Sequence, residues 1–223
     1  MLIAEPPGLG DFLSENSLMA RRPMTGKGFV VKGQFSFTAE YPKAGEISDS
    51  YSLTIEFPKN FPKEIPIVTE CGNKIPRNGD YHVNGDGTLC LGSPLRLLVR
   101  ISKAPTVNGF IEYCLVPYLF AASYKLRNGG KYLFDELDHG LPGMLADYKN
   151  MLGLKDSKQV CEALRLLGMK KRRANKRLCP CSCGIRLGKC RFNFRLRELR
   201  QLSNRPWFRT HHNYVKTLMD RHT

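Results

Sequence analysis

One thiol of this 223-residue chain stands where it can react. In His82-Val-Asn84-Gly-Asp-Gly87-Thr-Leu-Cys90-Leu-Gly92, a cysteine ends a polar, glycine-punctuated turn, close in sequence to a histidine and an asparagine. A reachable thiol beside a hydrogen-bond donor suits acyl transfer. The sulfur takes up an acyl group as a thioester and surrenders it to an amine, and a donor must face the oxyanion of the tetrahedral intermediate. Cys90 is the candidate nucleophile; Asn84 and the backbone N–H groups around Gly87 and Leu91 are candidate donors. His82 reads as a loop-ordering residue rather than a base, because transthiolation needs no strong base. Cys114 sits in the apolar run Phe110-Ile-Glu-Tyr-Cys-Leu-Val116 and reads as structural, and Cys71, after Val68-Thr-Glu, as a strand end. The turn Asp135-Glu-Leu-Asp138-His139-Gly140 is a helix cap or exposed bend on the plain reading. The sharper reading brings His139 or Asp138 beside Cys90 to accept the proton of the incoming nucleophile.

A second set of thiols has a different spacing. Cys179-Pro-Cys181-Ser-Cys183-Gly-Ile-Arg-Leu-Gly-Lys-Cys190 brings four cysteines into twelve residues. Thiolates this close suit a structural zinc better than disulfides, with clustered free thiols as the alternative, and bound zinc can supply much of the folding energy of a short segment. The uneven clustering of the eight cysteines argues against a secreted disulfide framework and for a reducing cytoplasm. Nothing at the N-terminus resembles a signal peptide, and no apolar run approaches the ~20 residues that span a bilayer.

Charge separates the chain in two. Residues 1–154 carry 16 Lys and Arg against 16 Asp and Glu, whereas residues 155–223 carry 19 against 4, the whole net charge of +15. Such asymmetry assigns the second segment an anionic partner. Lys170-Lys-Arg-Arg173, Lys176-Arg177 and Arg195-Leu-Arg-Glu-Leu-Arg200 supply the cations, with Phe192, Phe194, Trp207, Phe208 and Tyr214 between them. These residues can dock an acidic protein, or neutralise phosphates and stack on bases.

The elements that hold these groups follow from periodicity. Residues 10–20 read as a short helix. Residues 28–40 alternate Phe35 and Phe37 with polar neighbours, a strand; Tyr51–Phe57 and Ile65–Thr69 are two more. Three strands joined by short breaks make an antiparallel meander. Leu95–Ile101 fits strand or helix, and residues 107–126 form a helix that Pro117 kinks or splits. Further helices are expected over 144–152 and 157–169, the latter leading into the basic segment. Strands first and helices after indicate an α+β fold, with one domain over 1–154 and a basic, cysteine-rich segment over 155–223.

This order resembles the ubiquitin-conjugating enzymes over roughly residues 25–150. The resemblance rests on Tyr51-Ser-Leu-Thr-Ile-Glu-Phe-Pro58-Lys-Asn-Phe-Pro62, Ile65-Pro-Ile, and then His82-Val-Asn84, Gly87 and Cys90-Leu91. The wording is most similar to the bacterial members found in antiphage and ubiquitin-like operons. Val83 replaces the proline of the family's His-Pro-Asn, His82 lies two residues nearer the cysteine than in the eukaryotic pattern, and no tryptophan follows Cys90. The resemblance implies a thioester on Cys90, Asn84 at the oxyanion, a ubiquitin-like modifier, a separate activating enzyme and a protein target, with no cofactor for the transfer itself. The spacing Cys-x-Cys-x(8)-Cys resembles the SEC-C zinc motif, which implies ligands at Cys179, Cys181 and Cys190 and places protein docking ahead of nucleic acid. Arg191 stands where that motif has its fourth ligand, leaving Cys183, His211 and His212 as substitutes. Two other functions fit the residues: a catalytically silent adaptor, and a nucleic-acid-binding protein acting through the zinc segment.

Overall fold

Period-two burial lays down the sheet of the first half of the chain. Strands β1 (Met19–Thr25), β2 (Gly28–Tyr41), β3 (Gly45–Pro58) and β4 (Ile67–Glu70) pair antiparallel in chain order, a four-stranded meander. Phe29, Val31, Phe35 and Phe37 of β2 are buried, as are Ile47, Tyr51, Leu53, Ile55 and Phe57 of β3. The β2–β3 register runs without slip from Gly28 opposite Pro58 to Tyr41 opposite Gly45, so these side chains share one face. The computed structural model describes residues 4–25, 28–42, 44–129 and 140–221. They belong to two units, Met1–Glu136 and Leu137–Thr223.

Helices cover the apolar face of the first unit. They are α1 (Leu9–Glu15), α2 (Pro94–Ile101), and a continuous run of α3 (Val107–Phe110), a π-turn (Ile111–Leu115) and α4 (Val116–Arg127). Phe12 stacks over Phe35 at 6.2 Å, Phe110 meets Phe57 edge-on at 6.1 Å, and Tyr41 packs on Phe120 at 4.5 Å. Truncating a fully buried ring such as Phe110 to alanine costs about 3–5 kcal/mol. Cys114 is buried in this core, and burial pushes its thiol up to about 11.

Several elements differ from their sequence expectation for identifiable reasons. The helix expected over 10–20 stops at Glu15, and the chain then enters β1. Its Arg21-Arg22-Pro23 hides any alternation, a composition tolerated because β1 is an edge strand. β3 begins at Gly45, ahead of Tyr51, and β4 spans Ile67–Glu70 rather than 65–69. Leu95–Ile101 resolves as helix, with Pro94 in its first turn and Leu95, Leu97, Leu98 and Ile101 buried. Pro117 neither splits nor ends its helix. The turn ahead of it widens, with the Val116 N–H donating to Ile111 O, which relieves the clash a proline ring makes with the carbonyl four residues back.

The second unit is helical: α5 (Gly140–Leu152), α6 (Ser157–Gly168), α7 (Lys171–Ala174), α8 (Phe192–Leu202) and α9 (Arg205–Arg221). Helix α6 starts on a capping box, Asp156 accepting from Gln159 N–H while the Gln159 side chain accepts from the Asp156 N–H. At its other end Arg200 donates to the carbonyls of Leu166, Leu167 and Met169 at 2.6–3.0 Å, closing the helix. Helices α5, α8 and α9 pack on α6. The units divide at Glu136/Leu137, upstream of the charge step at 154, because α5 is neutral yet packs on α6 and α9. Among the described residues no helix is long and apolar enough to cross a membrane.

Candidate functional site

Cys90 leaves a small hairpin that is fastened to β4. Val83 bridges Leu89, Asn84 N–H donates to Thr88 O at 2.9 Å, and Gly87 N–H to Asn84 O at 2.9 Å. The hairpin's far strand lies along β4: Leu89 N–H donates to Val68 O at 2.8 Å and Glu70 N–H to Gly87 O at 2.9 Å. Gly87 is required here. Its φ is 85°, and a Cβ would stand 2.9 Å from Glu70 O. Asp86 accepts from the hydroxyl and the N–H of Thr88, which holds its carboxyl below the ordinary range. Cys90 itself is exposed, and its N–H donates to His82 O at 2.8 Å.

The other side of the loop is held from the core. Residues Gly79–Tyr81 form one 3-10 turn ahead of His82. On α4, Tyr118 donates its hydroxyl to Tyr81 O at 2.7 Å and Lys125 its ammonium to Asp80 O at 2.6 Å. Lys125 is buried and also lies 4.8 Å over the Tyr81 ring. Two side chains seven residues apart on one helix face thus grip two successive carbonyls of the loop. Sequence reading missed both, since a contact between residues 80–81 and 118–125 leaves no local pattern.

His82 enters the loop through its backbone, in the left-handed region at φ 54°. Asn84 is exposed, and its Nδ2 donates to Thr88 Oγ1 at 2.8 Å, so one of its two N–H groups is engaged inside the hairpin. Cys71 follows β4 and is exposed; its N–H donates to Ser52 O and its sulfur lies 3.3 Å from Thr54 Oγ1. His139, with Asp135 and Asp138, lies outside the described residues.

In the second unit Cys179, Cys181, Cys183 and Cys190 gather their sulfurs within 4.8 Å of one another. The separations Cys179–Cys181, Cys181–Cys190 and Cys183–Cys190 are 3.2, 3.6 and 3.6 Å. A tetrahedron with Zn–S arms of ~2.3 Å has edges of about 3.8 Å, so this set can hold a metal ion such as zinc. Backbone donors face the sulfurs. Phe192 N–H points at Cys190 Sγ at 3.4 Å. Hydrogen bonds from the Ile185 N–H and from Cys181 hold the Cys183 thiol down to about 7, while burial pushes the Cys179 thiol up.

The geometry also sorts the alternatives for the fourth position. Cys183 is in the cluster. His211 is buried elsewhere, its Nε2 2.7 Å from the Tyr148 hydroxyl, and His212 Nδ1 lies 3.1 Å from Asn213 Oδ1. Burial, assisted by His212, pushes His211 down to about 4. Phe208, His211 and Val215 fall on one stripe of α9, its buried face.

Comparison with protein-family models, curated proteins and solved structures finds no match to this chain.

Proposed function

We propose that Cys90 carries a ubiquitin-like modifier as a thioester and passes it to an amine of a protein target, as the resemblance to the bacterial conjugating enzymes of antiphage operons implies. What carries the reading is an exposed thiol in a loop held at its flanks, by Tyr118 and Lys125 on one side and by β4 on the other. An α+β meander with helices on one face is the framework that the resemblance calls for.

The chemistry balances in two steps. The Cys90 thiolate attacks the thioester carbonyl presented by a separate activating enzyme; the new C–S bond forms as the old one breaks, and the donor thiolate leaves. A target amine then attacks the same carbonyl, a C–N bond replaces the bond to Cys90, and the surplus amine proton passes to solvent. Each intermediate bears an oxyanion. The second Nδ2 hydrogen of Asn84, beyond the one given to Thr88, is the donor we assign to it, a role whose loss costs ~10²–10³ in rate.

The zinc we assign to Cys179, Cys181, Cys183 and Cys190 is structural, because four thiolates leave no position for substrate. Its contribution is to tie the Cys179–Cys190 segment to the start of α8.

The test uses the full chain with an activating enzyme, its modifier and ATP, resolved on non-reducing gels. An adduct removed by dithiothreitol is expected, turning into a thiol-resistant ester in Cys90→Ser and vanishing in Cys90→Ala. An adduct unchanged in Cys90→Ala refutes the assignment.

A further inference from the structure

The cysteine cluster sits inside the most one-sided stretch of the molecule. Residues 170–197 contain 11 Lys and Arg and no Asp or Glu. Elsewhere in the same unit a cation is paired in the usual way, Arg165 with Glu162 at 2.6 Å. Four thiolates on a divalent ion would leave a charge of −2, which two of the eleven cations offset, so nine positive charges stay unbalanced within this stretch.

Apolar side chains stand out among these cations. Leu178 is 67% exposed, Ile185 46% and Phe194 64%. Each lies within four residues of a cluster cysteine. Leu178 bridges Arg186 across the cysteine turn, which sets an apolar and a cationic side chain next to each other. At the start of α8, exposed Arg191, Phe194 and Arg197 recur every three residues and so share a helix face. A face that served only solubility would need no exposed phenylalanine between two arginines.

We infer that this surface around the cysteine cluster binds single-stranded nucleic acid, with Arg191 and Arg197 on phosphates and Phe194 stacked on a base. The charge suits a polyanion. An unpaired strand adds flat base faces for exposed rings, which a duplex keeps stacked inside and an acidic peptide lacks. This binding is independent of the chemistry proposed at Cys90.

The test is fluorescence anisotropy on the full chain with a labelled mixed-sequence 20-nucleotide strand. The blunt duplex of the same sequence, poly-glutamate and phosphatidylserine vesicles are the comparison ligands. The strand is expected to bind at least tenfold tighter than each of them. With about five phosphates neutralised, raising KCl from 50 to 200 mM weakens binding roughly 100-fold. Phe194→Ala is expected to weaken binding at least about fivefold; its ring is exposed, and an unchanged circular-dichroism spectrum verifies the fold. Thioester formation at Cys90 is read separately in Phe194→Ala and stays unaltered, so the two proposals fail independently. The inference is overturned if the strand does not bind at 50 mM KCl. Equal binding of duplex, poly-glutamate or vesicles overturns it too, as does full affinity in Phe194→Ala.

Discussion

The backbone N–H of Cys90 donates to the carbonyl of His82 at 2.8 Å, closing an eight-residue excursion of the chain on itself. The bond needs the left-handed turn at His82 and the hairpin between the two residues. A thiol in such a position gains exposure without losing definition. That combination is what acyl transfer asks of a nucleophile, since misplacing a reacting group by about 1 Å can cost ~10² in rate.

Lys125 holds the same loop two residues ahead of His82, at the Asp80 carbonyl. Lys125→Met keeps the length of the side chain but removes the donor to Asp80 O and the cation over the Tyr81 ring. A loss of about 1–3 kcal/mol in denaturant unfolding is expected. The rate of the thioester formation proposed for Cys90 should fall while its thiol stays accessible to iodoacetamide. A variant as stable as the parent and as fast would separate α4 from the loop.

Gly87→Ala places a methyl group 2.9 Å from Glu70 O on a backbone at φ 85°. The hairpin should strain by about 1–3 kcal/mol. Hydrogen exchange is the direct reading: the Leu89 and Glu70 amides, which link hairpin and β4, lose protection, while β2 and β3 keep theirs.

Removing Cys183 tests the metal assignment. Full-length protein is expected to hold one zinc per chain by elemental analysis, and Cys183→Ser to lose it or bind it far more weakly. Cys161→Ser should retain it, because Cys161 lies outside the cluster. Chelation of the parent should lower the melting temperature of the second unit. A zinc content unchanged in Cys183→Ser would return the fourth ligand to another residue.

His211 predicts an acid-sensitive second unit. Burial holds its imidazole at about 4, below its ordinary 6.5. The unfolded chain therefore takes up a proton that the folded one refuses. The stability from a neutral His211 is complete above pH 6.5 and drains away as pH falls toward 4, by at most about 3 kcal/mol. Urea midpoints between pH 7 and 4.5 measure this slope, and His211→Gln should flatten it. A slope retained in His211→Gln would place the acid sensitivity on other groups.

Sequence periodicity reads well where one face is apolar and the other wet. Phe35 and Phe37 reveal β2 for that reason, and Asp156 with Gln159 marks the start of α6. It fails where composition answers to something else. Arg21-Arg22-Pro23 obeys the needs of a sheet edge, and Leu95–Ile101 is too short to separate periods. The thiol spacing points to a metal, but spacing ranks donors only along the chain. That Cys183 joins the set and His211 does not is decided by packing against Tyr148. The charge step at 154 is real, yet charge describes surfaces, whereas the units are defined by what α5 buries.

The hairpin ahead of Cys90 has a further consequence. It occupies the outer rim of β4 through Val68 and Glu70, the side of that strand turned away from β3. A bare rim of unpaired backbone groups templates the addition of strands from other molecules. The segment that presents the thiol therefore also covers the β4 rim of the sheet, leaving β1 as its other edge. A lesion that frees this segment is expected to bare that rim and to show as aggregation on storage.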